Sequence, residues 1–221
     1  MVSKSESRTN SPTVGIVDTN SSNIRSVIYA CKKYFPNIKI LKSYNDNQFL
    51  DGLIVPGVGS FQYVLDQLNK KKLDKLIIEF LEKDKPSLFI CVGMQILFSR
   101  SYEFGLHNGL NIFNGDVKKI PRLFNNRERN VPFIGWNTIE QKKENQLFKG
   151  ITKKEFFYFT HSFYVSPEKK DIIHSISDHE GFTYCSSIQY KNLVAVQFHP
   201  EKSSEQGLKV YENFKIKCEN S

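Results

Sequence analysis

Apolar positions in the first half of the chain follow two alternating periods. Short runs such as TVGIVD at 13–18 and DGLIVPGVG at 51–59 have the continuous apolar character of buried strands. The stretches NIRSVIYACKKYF at 23–35 and FQYVLDQLNKKKLDKLIIEFLEKDK at 61–85 instead place apolar residues at helical spacing. Short buried strands that alternate with amphipathic helices predict a parallel sheet with helices on both faces.

The pattern changes from about Gly109 onward, where strand-like runs follow one another with little helix between them. This half is therefore predicted to be mainly antiparallel. A final helix is predicted over SSEQGLKVYENFKIK at 203–217, with Leu208, Tyr211 and Phe214 on one face. The strand-like runs are GLNIFNGDVKKI, FIGWNTIE, EFFYFTHSFYVS, FTYCSSIQY and LVAVQF.

Composition narrows the class of protein. A length of 221 residues fits one compact domain, which we place at 14–218, after a flexible polar tail at 1–13. The net charge of +8 comes from lysines scattered along the whole length, which favours a solvated surface over nucleic-acid binding. No apolar run approaches the ~20 residues that cross a bilayer, so no membrane association is expected.

The chain has four cysteines, which show no paired spacing and no dense framework. This pattern is typical of free thiols in a reducing compartment, and we expect a cytoplasmic protein. No His or Cys cluster has metal-ligand spacing, so no metal site is expected. The cysteines are Cys31, Cys91, Cys185 and Cys218.

Cys91 lies where a buried strand, SLFI, meets the predicted helix VGMQILFS. A thiol at a helix N-terminus feels the positive end of the helix dipole, which favours its thiolate. The N–H of Val92 is free to stabilise an oxyanion, and Gly93 removes a side chain that would crowd the turn. The geometry is similar to the nucleophile elbow of hydrolases. Core packing is the alternative role, because cysteine is among the most buried residue types.

A base for this thiol is available in VQFHPEKSS, where His199 and Glu201 stand two apart at the end of an apolar strand. In an extended chain such residues project to one face, so both side chains can converge on one region. Imidazole can take the thiol proton and return it to a leaving amine, while the carboxylate holds the ring. A surface turn is the alternative, but with Cys91 the pair predicts a Cys-His-Glu triad.

Five motifs carry a resemblance that covers the chain from about Val14 to Phe214. In order and spacing they resemble the glutaminase subunits of imidazole glycerol phosphate synthase, within the class I glutamine amidotransferases. The resemblance implies an α/β, flavodoxin-like three-layer fold with a central, mostly parallel sheet and additional antiparallel strands in the C-terminal half. The motifs are PGVGSF, ICVGMQILF, VPFIGWN, YFTHSFYV and VQFHPEKSSEQGL.

The resemblance also implies a reaction. Cys91 would attack the side-chain amide of glutamine, giving a glutamyl thioester and ammonia, with His199 and Glu201 as its triad partners. No cofactor is required. The implied oxyanion donors are backbone groups at Val58, Gly59 and Val92, and the implied substrate contacts are Gln95, Glu103, His161 and Ser162; a hydrogen-bonded strand histidine is the alternative for His161.

A partner follows from the same resemblance. Ammonia released into water would be protonated, so the family passes it through a tunnel to a (β/α)8-barrel cyclase that makes imidazole glycerol phosphate and aminoimidazole carboxamide ribonucleotide. Asn23, Trp136 and Lys202 match positions at the mouth facing that partner; Trp136 could equally be a core residue. The remaining histidines, His107, His174 and His179, are expected at the surface.

Three departures from the family pattern keep alternatives open. Phe89 stands where the family usually has glycine, the loop VDTNSSN lacks the usual glycines, and Phe133 replaces a common histidine. A paralogue that feeds ammonia to a sugar amidotransferase is one alternative function. A pseudoenzyme whose elbow is spoiled by Phe89 is another, and other triad amidotransferases or cysteine hydrolases complete the set.

Overall fold

The structure, a computed structural model of the chain, describes residues 11–20, 23–46 and 49–221. The predicted tail at 1–13 therefore lies mostly outside the described residues. Helices in the described part are α1 (Ile24–Lys32), α2 (Phe61–Lys71), α3 (Leu73–Glu82), α4 (Val92–Gln95) and α5 (Ser204–Glu219). Strands there are β1 (Thr13–Val17), β2 (Asn37–Leu41), β3 (Gly52–Gly57), β4 (Ser87–Cys91), β5 (Phe98–Ser101), β6 (His107–Asn108), β7 (Phe113–Lys119), β8 (Leu123–Phe124), β9 (Arg127–Glu128), β10 (Phe133–Gln141), β11 (Lys154–His161), β12 (Phe163–Pro167), β13 (Ile173–His179), β14 (Phe182–Tyr190) and β15 (Leu193–Val196).

The central sheet has nine strands in the order β11-β10-β13-β14-β15-β4-β3-β1-β2. Neighbouring strands from β15 to β2 pair in parallel, and those from β11 to β15 pair antiparallel. The predicted α/β fold and the antiparallel C-terminal half are confirmed, although the parallel strands make up only one half of a mixed sheet. Short turns between β13, β14 and β15 impose antiparallel pairing, because a parallel connection needs a long crossover. A second sheet, β12-β7-β5-β6, lies beside it.

Two helix predictions were wrong in extent. The helical pattern at 61–85 is split into α2 and α3 at Lys72, whose left-handed backbone (φ 55°) caps the first helix while its N–H reaches Asn69 O and Leu68 O. The helix after Cys91 has only four residues, since the chain then turns into β5 and pairs with β7. Tertiary strand pairing here overrides the apolar run that suggested a longer helix.

The expectation of surface histidines was wrong for His174 and His179, which are 0% and 7% exposed. Nδ1 of His174 lies 2.9 Å from the Ser187 hydroxyl, and its ring stacks on Phe148 at 4.4 Å. Burial lowers the pKa of His174 to about 4, so the ring is neutral near pH 7. His107 is half-buried in β6. A strand histidine can be buried when one nitrogen is hydrogen-bonded and the ring is stacked.

Helix α5 packs closely against the 3₁₀ turn Pro200–Lys202. Gly207 makes this possible, because a Cβ built there would lie 1.9 Å from the carbonyl oxygen of Pro200. The glycine also continues the helix, its N–H donating to Ser203 O at 2.9 Å. Absence of a side chain at this one position therefore decides how near α5 comes to the turn that carries Glu201.

Replacement of Gly207 by alanine should lower the free energy of unfolding by about 1–3 kcal/mol, because the methyl group cannot fit against Pro200. Alanine is by itself the better helix former by roughly 1 kcal/mol, so a net loss reports the clash. Urea titration measures it. The matched control is Glu212→Ala, at an exposed position of the same helix, and equal stability of the two variants would contradict the packing argument.

Candidate active site

The carboxyl ends of three parallel strands meet at one edge of the central sheet. Gly57 of β3 is the register partner of Cys91 of β4, and β15 on the other side of β4 leads directly to His199. In a parallel sheet such ends lie at the same edge, which is where ligands usually bind. The predicted gathering of reactive groups at this edge is what the sheet topology produces.

The turn at Cys91 is tightly constrained. Cys91 has φ 55° and ψ −112°, a conformation that is costly for a residue with a side chain. Glycine is required at position 93, two residues later, because a Cβ there would lie 2.1 Å from the carbonyl oxygen of Val55. Strand, strained residue and short helix together have the form of a nucleophile elbow, in which the turn presents the side chain at the top of the sheet.

Phe89 does not displace this turn. The residue is fully buried within β4, where its direct register partner on β15 is the small Ala195 and its partner on β3 is Val55. Cross-strand partners share a face, so a small residue beside Phe89 leaves room for the ring. Cys91 meanwhile lines an open cavity. The departure from glycine is therefore accommodated in the core.

His199 and Glu201 form a buried pair. Nδ1 of His199 lies 2.8 Å from Oε1 of Glu201, and both side chains have no solvent exposure. Two hydrogen bonds fix the backbone of His199. Its N–H donates to Tyr158 O at 2.8 Å, and Ser203 Oγ donates to His199 O at 2.6 Å. Pro200–Lys202 is a 3₁₀ turn, so the pair converges through a turn and the expected extended geometry was wrong.

The electrostatics of His199 couple it to Cys91. Burial by itself lowers the pKa of His199, but interactions with the Cys91 sulfur and with Glu201 outweigh it and raise that pKa to about 10. The arrangement thus favours the protonated imidazolium form of His199. The second ring nitrogen, Nε2, is buried and has no hydrogen-bond partner of standard geometry among the described residues. It is the atom left to exchange a proton with the thiol.

Two further groups approach the sulfur of Cys91. Nε2 of Gln197 donates to it at 3.5 Å, and the thiol reaches Thr160 O at 3.9 Å. Sequence reasoning missed Gln197, which is fully buried two residues before His199. Its signal is available in LVAVQF, where a glutamine interrupts an apolar strand and must find partners when buried.

A cavity of about 270 Å³ opens beside Cys91. This volume lies below the roughly 300–1,000 Å³ of pockets for drug-sized ligands, so it suits a small metabolite. A larger cavity of about 890 Å³ lies elsewhere, along 141–153, and includes none of the predicted site residues. The lining of the smaller cavity contains every predicted oxyanion and substrate residue: Val58, Gly59, Cys91, Val92, Gln95, Glu103, Pro132, Thr160, His161, Ser162 and Phe163.

Hydrogen bonds to neighbouring protein groups orient the side chains of Glu103 and Gln95. Oε2 of Glu103 accepts the N–H of Phe61 at 2.6 Å, the first residue of α2, and burial raises the pKa of Glu103. Nε2 of Gln95 donates to Phe163 O at 3.1 Å and to Oε1 of Gln197 at 3.0 Å. Both side chains are therefore oriented before any ligand binds.

His161 has the hydrogen bond expected of a strand histidine and also lines the cavity, while its contact with substrate stays a prediction. Its Nδ1 lies 2.8 Å from Phe163 O, as in a hydrogen-bonded strand histidine, and burial lowers its pKa to about 4. Its Nε2 is nevertheless buried without a partner, and the residue lines the cavity. Ser162 lies beside it, with its carbonyl oxygen accepting the N–H of Ile120 at 2.8 Å.

The three residues expected at a partner-facing mouth differ in exposure. Asn23 is only 7% exposed, and its amide donates to Oε1 of Glu201, so its observed contact is with the buried pair. Trp136 is 51% exposed, which excludes the core alternative, and meets Tyr158 edge-on at 6.1 Å. Nζ of Lys202 lies 5.7 Å from the same Tyr158 ring. Their contact with a partner stays a prediction.

Within the described ranges, no group of three His, Cys, Asp or Glu side chains could hold a metal ion. In that same part of the chain, no helix combines the length and apolar character needed to span a bilayer.

Comparison with known sequences gives a consistent set of relatives. The family model described as glutamine amidotransferase class-I matches residues 15–218. The imidazole glycerol phosphate synthase subunit HisH of Aquifex aeolicus is 40% identical over 205 residues, covering 92% of this chain and 96% of the relative. The protein of the same name from Pyrococcus furiosus is 39% identical over 202 residues, covering 91% and 97%.

Comparison with solved structures supports the fold alone. The structure of PurLQS from Thermotoga maritima aligns with a TM-score of 0.70 at 17% identity, covering 93% of this chain and 98% of that one. A glutamine amidotransferase from the same organism aligns with a TM-score of 0.61 at 16% identity, covering 89% and 79%.

Iodoacetamide should label Cys91 in the folded chain and leave Cys31, Cys185 and Cys218 unmodified. All four thiols are buried, but Cys91 lines the cavity, whereas burial raises the pKa of each of the other three. Peptide mapping by mass spectrometry locates the label. Urea-unfolded protein, in which all four should react, is the control, and labelling of another cysteine before Cys91 would contradict the assignment.

Proposed function

This chain belongs to the class I glutamine amidotransferase family, and we propose that it is the glutaminase subunit of an imidazole glycerol phosphate synthase in histidine biosynthesis. One observation carries the proposal: Cys91 and the buried His199–Glu201 pair meet at the same sheet edge, beside a small cavity. The names of relatives at 39–40% identity over nearly the whole chain favour this subunit over a sugar amidotransferase paralogue. The intact elbow argues against a pseudoenzyme.

The reaction divides into two steps. The Cys91 thiolate attacks the side-chain amide carbon of glutamine, and the imidazolium of His199 gives its proton to the departing ammonia, leaving a glutamyl thioester. His199, now neutral, then takes a proton from water, whose oxygen attacks the thioester and releases glutamate. Glu201 holds the ring through Nδ1, so that Nε2 faces the reaction.

The negative oxygen that forms in each step needs donors. The N–H of Val92, at the start of α4, is one proposed donor, and a backbone N–H of the Val58–Gly59 loop is the other. Gly59 has φ +104°, a conformation that glycine adopts without strain, and a Cβ there would meet only Tyr63 at 3.9 Å. The loop thus has both the backbone freedom and the space to turn an N–H toward the substrate.

The substrate's amino-acid end is assigned to the polar residues that line the cavity. Glu103 offers a carboxylate for the ammonium group, and Gln95, His161 and Ser162 also line the cavity. Burial lowers the pKa of His161 to about 4, so it is neutral at working pH and adds no charge beside the imidazolium of His199. The positive charge near the sulfur is then confined to His199.

Ammonia made here serves a second subunit, for which an exposed apolar face is the proposed docking surface. Ile134, Trp136 and Phe156 are 61%, 51% and 56% exposed, and the pairing of β10 with β11 puts all three on one face. Thr160 belongs to this face, and its carbonyl oxygen lies 3.9 Å from the Cys91 sulfur. A (β/α)8-barrel cyclase docked there would close over the site from which ammonia leaves. We expect the chain alone to turn over glutamine poorly.

Replacement of Cys91 by alanine should lower glutaminase activity by on the order of 10⁴ or more, because the thioester can no longer form. Glutamate release is measured for both proteins, with and without the native cyclase partner and the nucleotide substrate of that partner. Cys185→Ala, which removes a buried thiol outside the cavity, is the matched control. Residual activity near that of the unmodified chain would exclude the mechanism, and equal rates of the chain alone and the loaded complex would contradict its dependence on the partner.

Replacement of Trp136 by alanine should weaken binding of the cyclase partner by roughly tenfold or more, since a half-exposed tryptophan is a typical interface anchor. Isothermal titration calorimetry measures the Kd. Tyr190→Ala is the control, because Tyr190 is 49% exposed and meets Phe113 edge-on, much as Trp136 meets Tyr158, but on another surface. The same loss of affinity in both variants would count against this docking face.

A further inference from the structure

Only one of the two oxygens of the Glu201 carboxylate accepts hydrogen bonds from the described residues. Its Oε1 accepts from His199 and from the amide of Asn23, whereas Oε2 is buried and lacks a hydrogen-bond partner of standard geometry within the described residues. A buried carboxylate oxygen without a donor is costly, so a group able to donate to it is expected nearby.

Tyr211 is the group in position to do so. The residue is fully buried on α5, and its hydroxyl is also buried without a partner of standard geometry in the described structure. Gly207, one helical turn earlier, is the point where α5 touches Pro200. Residues four apart share a helix face, and helical side chains lean toward the N-terminus, so the Tyr211 ring extends over that contact toward the turn that contains Glu201.

The charges around the carboxylate agree with this placement. Burial raises the pKa of Tyr211 well above its usual value, and the charge of Glu201 raises it further, so the hydroxyl keeps its proton and can only donate to a carboxylate. From α1, Cys31 also faces this region: burial and then the charge of Glu201 raise its pKa, so it remains a neutral thiol. Tyr211 and Cys31 thus join His199 and Asn23 among the groups that interact with Glu201.

We propose that Tyr211 is a positioning residue that donates its hydroxyl to Oε2 of Glu201 and fixes the plane of the carboxylate, so that Oε1 stays on Nδ1 of His199. The inference rests on the proposed Cys91, His199 and Glu201 triad. Helix α5 then contributes to catalysis without touching substrate. A tyrosine that only fills the core would give the same burial but would not affect the protonation of His199.

The test is Tyr211→Phe, which keeps the ring and removes the hydroxyl. The measured quantity is the pH at which iodoacetamide alkylates Cys91 of the isolated chain at half the maximal rate. A looser Glu201 supports the imidazolium less well, so the thiolate forms at higher pH and we expect the midpoint to rise by about half a unit or more. In the complex with the cyclase partner, kcat should fall by about tenfold with KM for glutamine little changed.

Tyr44→Phe is the matched control. The Tyr44 hydroxyl donates to both oxygens of Glu79, at 2.7 and 2.8 Å, so this variant also breaks a tyrosine–glutamate hydrogen bond, but at a site that does not line the cavity. We expect an unchanged midpoint and unchanged kcat. Urea titration verifies that both variants are folded.

A double-mutant cycle shows whether Tyr211 acts through Glu201. In a Glu201→Gln background, Tyr211→Phe should produce no further change of the alkylation midpoint. The proposal is overturned if Tyr211→Phe leaves the midpoint of the otherwise unmodified chain unchanged, or shifts it equally in both backgrounds. Because alkylation needs no glutamine, this result is independent of whether the chain proves to be a glutaminase.

If Tyr211→Phe does not fold, a second measurement tests the same hydrogen bond without that substitution. Tyrosine labelled with ¹³C at Cζ is placed at position 211 alone, which leaves the chemistry of the chain intact. The ¹³C shift should change between the unmodified chain and Glu201→Gln if the hydroxyl donates to the carboxylate. An identical shift in the two proteins would refute the hydrogen bond.

Discussion

The buried contact between His199 and Glu201 is the interaction on which the rest of the site depends. Both side chains are removed from water, and removing either partner would leave the other as an uncompensated buried group, so the surroundings must fix the geometry of the pair. Backbone from β11 holds His199 by its N–H, Asn23 donates to Glu201 from the start of α1, and Gly207 brings α5 against the turn between them. Two elements remote in sequence, α1 and β11, and the helix that directly follows the turn therefore converge on this pair of side chains.

The strained backbone at Cys91 must be stabilised by the surrounding strands. A left-handed φ at a residue with a side chain persists only when its surroundings hold it. Parallel pairing of β4 with β3 on one side and with β15 on the other fixes the backbone that leads into Cys91. The close approach of Gly93 to the carbonyl oxygen of Val55 restricts the backbone that leaves it. The strain is thus stored where the sulfur must stand free of the sheet.

Strand β11 links the buried pair to the exposed apolar face. The carbonyl oxygen of Tyr158 accepts the N–H of His199, while the Tyr158 ring meets both Trp136 and the ammonium group of Lys202. Thr160, two residues on, approaches the sulfur of Cys91 through its carbonyl oxygen. A partner docked on Trp136 would consequently contact the strand whose carbonyl oxygens approach both His199 and Cys91, which gives a physical route for one protein to influence the other.

The parallel half of the fold, the strand end at Cys91 and the proximity of His199 to Glu201 could be predicted from the sequence, because each depends on periodicity or on neighbours in the chain. Sequence reasoning misjudged the burial of His174 and the turn geometry after His199, and it gave no sign of the roles found for Asn23 or inferred for Tyr211. Those depend on tertiary structure alone. Asn23 reaches Glu201 across 178 positions, and a hydrogen bond over such a distance is decided by how helices and sheet pack, which local patterns do not encode.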